Sequence, residues 1–371
     1  MSLKIFGNEE RQHSPSVFQV GAICPGGKAV DFCYLSNKFF PTSAMMGELS
    51  KDFSEVVRNY PSMQGEQTEL ASRLTGYRPE HIIVGNGASE LIHLVTARLG
   101  TRWLMPYPSY MEYENVIRDF GKGIHPFQLQ EEEQFNVNLP RLLKEIRQHN
   151  IDAMVLPNPN SPTGQRTSVQ DLIQILEHAP TLKTVVIDES FDEFTAEKRV
   201  EIPTLRAYLE KYPQLIIMRS LGKDFGVCGL RLGLLATSRQ EVLAEIKRFL
   251  PIWNVSPLAE RFLRLCAGHM DDYERARVQC IRETRALFEK LSALPALKVF
   301  ETYSNFILFK ILHERVNSVE LRDHLLSQMG FYVRDCSRKL GLGNSFIRVG
   351  TNLPPENARL AAAIGDFLAR R

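Results

Sequence analysis

A hydroxyl, a lysine and an arginine share one short run, Ser220-Leu221-Gly222-Lys223-Asp224-Phe225-Gly226, continued by Gly229-Leu230-Arg231-Leu232-Gly233. A lysine amine condenses with carbonyl groups. The hydroxyl three residues before it and the guanidinium eight after it could bind a phosphate on the same molecule. A surface lysine in a turn would read the same way. The run Val185-Val186-Ile187-Asp188 is an apolar strand ending in a carboxylate. A buried carboxylate needs a cationic or donor partner, and a pyridinium nitrogen, Mg²⁺ or a capped helix would each serve. Gly85-Asn86-Gly87-Ala88-Ser89-Glu90 follows a strand and opens a helix carrying Leu91, Ile92, Leu94 and Val95. Its amides and helix dipole suit an anion such as phosphate, although a plain glycine-rich turn has the same look. A dinucleotide fingerprint fits less well. Glu90 stands where the third glycine belongs, and the following strand runs into Met105-Pro106-Tyr107 without a terminal acid.

These segments need a frame. Short apolar runs at His81–Val84, Arg102–Met105, Ala153–Leu156, Thr184–Ile187, Leu215–Met218 and Gly233–Ala236 read as buried strands. Amphipathic stretches separate several of them, as in Asp171–His178 with Leu172, Ile175 and Leu176 on one face. Such alternation predicts an α/β fold with a mainly parallel sheet covered on both faces. Ligands in such sheets lie beyond the carboxyl ends of the strands, where these polar residues stand. After Pro251 the pattern turns helical at Ala259–Cys266 and Arg275–Leu291, returns to a strand at Phe306–Phe309 and ends in a helix at Glu356–Leu368. This predicts a smaller α+β domain. The expected division is residues 1–50 as an N-terminal arm and part of the small domain, 51–250 as the large domain and 251–371 as the C-terminal small domain.

The chain has 371 residues, 44% hydrophobic and 24% charged, with a net charge of +2. That balance gives no electrostatic reason to expect nucleic acid or an anionic membrane as partner. No apolar run reaches transmembrane length, and the expected location is the cytoplasm. The six cysteines include no CxxC pair and the nine histidines no HExxH, so no metal is expected.

The segment Ser220–Gly233 resembles the lysine segment of fold-type-I pyridoxal 5'-phosphate (PLP) aminotransferases of class I/II. Other stretches match that family in order: Arg58-Asn59-Tyr60-Pro61, Pro157 to Gly164 in the Asn-Pro-Thr-Gly region, Ile187-Asp188-Glu189-Ser190-Phe191, Tyr332 to Cys336, and Phe346-Ile347-Arg348-Val349-Gly350. Together they span nearly the whole chain, and the nearest resemblance is to histidinol-phosphate aminotransferases and threonine-phosphate decarboxylases. The resemblance implies that Lys223 carries the cofactor and serves as acid and base at the substrate Cα. It implies that Asp188 keeps the ring nitrogen protonated and that Tyr110 stacks on the ring. Gly87, Ala88, Ser89, Ser220 and Arg231 would hold the phosphate, with Asn160 and Ser161 also beside the cofactor. Arg348, Arg334 and Asn305 would contact an anionic amino substrate. Tyr60 would reach the neighbouring subunit's site, which makes a homodimer with shared active sites the expected unit.

Three residues depart from the family pattern. Ser161 replaces the asparagine before Pro-Thr-Gly, Phe191 replaces a tyrosine, and Gly222 precedes the lysine where many relatives carry a hydroxyl. Phe191 and Trp253-Asn254-Val255 resemble the decarboxylase branch. The leading expectation is an aminotransferase of the histidinol-phosphate type that passes an amino group to a 2-oxo acid. The alternative is a decarboxylase of threonine phosphate or a similar phosphorylated amino acid. A PLP-binding regulatory domain fused to a DNA-binding module is disfavoured, because no helix-turn-helix segment or basic linker precedes residue 30.

Overall fold

The computed structural model describes residues 14–51 and 53–371; the first part of the expected N-terminal arm lies outside the described residues. A seven-stranded sheet dominates, formed by β2 (Ile82–Asn86), β3 (Arg102–Tyr107), β4 (Gly123–Gln128), β5 (Ala153–Pro157), β6 (Thr184–Asp188), β7 (Leu215–Arg219) and β8 (Leu232–Ala236). Their spatial order is β2-β8-β7-β6-β5-β3-β4. Only β8 runs against its neighbours, and the other pairings are parallel. The six strands expected from apolar runs are present, with ends displaced by a residue or two.

These strands read as continuous apolar runs because each face meets a different helical layer. Met154, Leu156, Val185, Ile187, Leu215 and Ile217 pack with the helices Gln64–Thr75, Val169–His178 and Pro257–Cys266. The alternate residues Val155, Val186, Ile216 and Met218 pack with the helices Gly87–Arg98, Met111–Asp119 and Gln240–Phe249. Strand β4 was not expected, since Pro126 interrupts its pattern. It lies at the sheet's edge, where a residue without an N–H can be accommodated.

A second, antiparallel sheet has the order β12-β13-β10-β9, from β9 (Leu297–Val299), β10 (Phe306–Ile311), β12 (Arg334–Asp335) and β13 (Phe346–Gly350). Its Ile307, Phe309, Ile347 and Val349 form a core with Leu287, Leu291, Leu360 and Ile364 of the helices Met270–Ser292 and Pro354–Ala369. Period-two alternation therefore turns Arg348 to the opposite face. The early segment joins this sheet's neighbourhood: β1 (Val30–Asp31) pairs in parallel with β11 (Phe331–Tyr332). Among the described residues, no helix is long and apolar enough to cross a membrane.

The junction of β2, β8 and the Gly87–Arg98 helix leaves no room for side chains. A Cβ on Gly233 would lie 2.2 Å from the Ala88 amide nitrogen and 2.3 Å from the Gly87 carbonyl carbon. Both obstacles are backbone and cannot swing aside. Gly233→Ala should therefore cost about 1–3 kcal/mol in a urea melt. It should also weaken cofactor retention during dialysis. Wild-type stability and retention in the variant would contradict this packing.

Candidate active site

A cavity of about 550 Å³ opens beyond the carboxyl ends of the large sheet and is closed on its other side by β12 and β13. That volume lies in the ordinary range for a small-molecule site. Lys223, Asp188, Ser190, Ser220, Ala88, Ser89, Arg231, Tyr110, Ser161, Phe191, Arg334 and Arg348 all line it.

Lys223 stands in the short helix Leu221–Asp224, whose N-cap is Ser220. Leu221, Gly222 and Asp224 are buried, so Lys223 is the residue of the turn that faces the cavity. Among the described residues its ammonium has no ion pair or hydrogen bond. The glycine before it has a packing reason: a Cβ on Gly222 would meet Cys228 Cα at 2.9 Å. The turn is held from the N-terminal side, where the Asn37 amide donates to the Lys223 carbonyl at 2.8 Å and Asn37 Nδ2 to the Asp224 carbonyl at 3.1 Å.

Asp188 ends β6 and is buried. Its Oδ1 accepts from the Ser190 amide at 3.0 Å and from the Ser190 hydroxyl, and its Oδ2 accepts from the Tyr113 hydroxyl at 2.9 Å. Burial pushes this carboxyl above the usual aspartate range, while the Ser190 and Tyr113 bonds and the Lys223 charge pull it back. It is thus an acceptor held ready for a further cation. Tyr110, which lines the cavity, sets its ring edge-on to Tyr113, with centroids 6.2 Å apart.

A guanidinium and a helix start meet at the other end. Arg231 takes a left-handed conformation, φ 55° and ψ 62°, which a residue with a Cβ adopts only when its surroundings impose it. Its carbonyl accepts from the Gly87 amide at 2.8 Å, and its Nη2 donates to Ser89 Oγ at 2.9 Å. A Cβ on Gly87 would lie 2.4 Å from Arg231 Nη2. Gly87 is therefore needed for the approach although its own atoms do not line the cavity. The arrangement is an anion site of helix amides, hydroxyl and guanidinium.

Arg348 and Arg334 are direct cross-strand partners on β13 and β12. Arg348 donates to Ser161 Oγ at 2.8 Å and to the Cys33 carbonyl at 2.6 Å, and its guanidinium lies 5.5 Å from the Phe306 ring centroid. Arg334 donates to Ser14 Oγ. Arg334 does not pair with the adjacent Asp335, which instead accepts from Ser318, Ser337 and Arg322.

Three of the expected residues lie elsewhere. Asn160 does not reach the cavity: its side chain accepts from Ser109 Oγ at 2.8 Å and donates to the Pro108 carbonyl and Thr163 Oγ1, bracing two loops. Asn305 is buried at the start of β10 and does not line the cavity. Tyr60 is 75% exposed and stacks on Trp253 at 4.1 Å, outside this chain's own cavity.

Two features escaped sequence reading. Lys339 lines the cavity and donates to the Ser109 carbonyl at 2.7 Å. Behind Lys223, Arg219 Nη2 is ringed by Glu193 at 3.1 Å, Asp192 at 3.3 Å and Asp224 at 3.4 Å, all buried. A charged residue ending an apolar strand was the available signal for Arg219. Nothing in the turn around Lys339 marks it.

A sequence model described as Aminotransferase class I and II matches residues 30–364. The L-serine phosphate decarboxylase Cj1436c of Campylobacter jejuni is 30% identical over 98% of this chain and 95% of its own length. A CMP-5'-(3-aminopropyl)phosphonate synthase of Streptomyces rubellomurinus is 32% identical over 91% of this chain, which spans 53% of that longer protein. A solved decarboxylase from Sulfurospirillum multivorans superposes with a TM-score of 0.88 at 26% identity, covering 99% of this chain and 95% of that one. Histidinol-phosphate aminotransferases are also among the relatives.

The acid cluster yields a pH test. Burial pushes Asp224 up from 3.8 to about 6 against the pull of Arg219. The fold thus favours the protonated acid, and that contribution, complete below the ordinary aspartate value, is lost as pH rises through about 6. Asp224→Asn, uncharged throughout, should gain stability relative to wild type across that window. Denaturant melts on either side of it decide the matter, and a constant difference between the two proteins would contradict the assignment.

Proposed function

The chain belongs to the class I and II aminotransferase family, and from that premise we propose that it is a decarboxylase of a small phosphorylated amino acid, with L-serine phosphate the first substrate to try. The observation that carries this reading is the single cavity uniting Lys223 and Asp188 with the cross-strand pair Arg334 and Arg348. Pyridoxal phosphate suits these residues: a buried carboxylate, a lysine with no ion pair among the described residues, and an anion site at a helix start. The similarity to two decarboxylases, each over nearly the whole length of both chains, supports decarboxylation over the transamination expected first.

Bound here, pyridoxal phosphate supplies an electron sink for the pair left on Cα when a bond to it breaks. The protein's part is to hold, orient and move protons. Asp188 keeps a proton on the ring nitrogen. Lys223 would anchor the cofactor and supply a proton to Cα. Arg231, Ser89, Ser220 and the amides following Gly87 hold the cofactor phosphate, and Tyr110 covers the ring. Ser161, fixed by Arg348, and the apolar Phe191 border the same space. Arg334 and Arg348 would orient the substrate's anionic groups and so select which bond to Cα breaks. For O-phospho-L-serine the products are CO₂ and O-phosphoethanolamine.

The active unit in this reading is a homodimer. The helix Phe53–Arg58 buries none of its residues, and Phe53, Val57, Tyr60, Met63, Ile252 and Trp253 are exposed. An apolar surface of this kind calls for a partner, and a second copy would bring Tyr60 towards the other site.

Two experiments test these points. Incubation with phosphoserine, phosphothreonine and histidinol phosphate, each with and without 2-oxoglutarate, should release CO₂ from a phosphorylated amino acid without needing the oxo acid. Glutamate formation from histidinol phosphate without CO₂ would favour the aminotransferase reading that the other relatives support. Separately, Lys223→Ala and Tyr60→Phe subunits should each be impaired, and their heterodimers should recover activity. One site then carries both lesions and the other neither. No recovery in demonstrated heterodimers would refute shared sites.

A further inference from the structure

The wall formed by β12, β13 and the turn that follows β12 carries more positive charge than a carboxylate requires. Like charges directly opposite on an antiparallel pair repel, yet Arg334 and Arg348 are opposed in register. Among the described residues no carboxylate forms an ion pair with either. Their hydrogen bonds go to neutral oxygens, of Ser14, Ser161 and Cys33. Lys339 adds a third basic group to the same cavity. One of its three N–H donors is occupied by the Ser109 carbonyl, so two remain. The groups that act on it come from three elements: Arg334 and Cys336 from its own segment, Arg348 from β13, and Glu114 from the Met111–Asp119 helix. Glu114 is itself paired with Arg118 at 3.0 Å and does not neutralise the wall.

A carboxylate is satisfied by one guanidinium in a bidentate pair. A phosphomonoester dianion presents three oxygens and two charges, and matches a wall of three cations. We infer that Lys339 is the residue that makes this wall selective for a phosphorylated substrate, its ammonium closing on the phosphate beside Arg334 and Arg348. The inference rests on the proposed function and deepens it by assigning the substrate's phosphate a third, titratable partner.

A consequence separates this role from simple packing. Burial, reinforced by Arg334 and Arg348, lowers the Lys339 ammonium to about 7, against the opposing effect of Cys336 and Glu114. Without an anion its charge is therefore largely absent above neutrality. A phosphate dianion at this wall restores the charge, so binding takes up a proton.

The test uses holoenzyme and 3-phosphoglycerate, which has a hydroxyl in place of the substrate's amine and cannot condense with the cofactor. Calorimetry at about pH 8, in buffers of different ionisation enthalpy, should show uptake of nearly one proton per ligand, because the phosphomonoester is already a dianion there. Lys339→Met should lose that uptake and bind 3-phosphoglycerate roughly ten- to a hundredfold more weakly. Its binding of glycerate should stay unchanged. Lys339→Arg should keep most of the affinity without the uptake. Wild-type binding without uptake, a measurement that needs no variant, would overturn the inference. So would equal affinity of wild type and Lys339→Met for 3-phosphoglycerate. Proton uptake in a protein that releases no CO₂ from any phosphorylated amino acid would support the subsite and refute the decarboxylase reading alone.

Discussion

The relative placement of Lys223 and Asp188 depends on one buried guanidinium. Arg219 ends β7 immediately before the lysine turn. Its carboxylate partners come from the segment after β6, through Asp192 and Glu193, and from the lysine turn itself, through Asp224. The contact therefore ties the strand that delivers the ring-nitrogen partner to the turn that delivers the amine. A second tie runs in parallel: the Ser220 amide donates to Ser190 Oγ at 2.8 Å, and that hydroxyl donates to Asp188. Buried ions are retained only where desolvation is offset by close geometry and further hydrogen bonds. Here the carboxylates outnumber the guanidinium, and the shortfall is met by the Tyr273 hydroxyl on Asp224 at 2.9 Å and by retention of a proton within the group. The result is a stiff floor under a site whose amine must stay mobile.

Most of the frame was legible in the sequence because the large sheet is covered on both faces. Its strands therefore appear as unbroken apolar runs, and the rule that ligands sit beyond their carboxyl ends selected Asp188, Lys223 and the Gly87–Ser89 helix start. Strand β4 was missed because the edge position that tolerates Pro126 is a property of the sheet, not of the segment. Gly222 looked like a departure without a cause until the backbone of Cys228 was seen to fill the space beside it.

Loop residues obey no periodicity, and there the sequence was least informative. Asn160 and Ser161 are adjacent, yet one braces Ser109 and Pro108 while the other faces the cavity beside Arg348. Lys339 lies in an irregular turn, and only the folding of that turn onto the Ser109 loop brings it to the site. The two arginines were recognisable singly, but their opposition depends on the register of β12 against β13. The choice between breaking the bond to hydrogen and the bond to carboxylate rests on a torsion at Cα, which residue types alone do not encode.

The segment containing Cys33 and Asn37 bridges the two halves of the cavity, with the Cys33 carbonyl on Arg348 and the Asn37 amide on the Lys223 carbonyl. Its β1 portion pairs Val30 with Phe331, on the far side of nearly the whole chain. During synthesis this segment is made well before its strand partner and its arginine. Contacts of such long range carry a large loop-closure cost and form late. The large sheet can assemble while translation continues, domain by domain. The site cannot be completed until β11 and β13 have emerged and the segment 30–37 has returned to them, so a chain without those strands displays the lysine without the clasp that seats it.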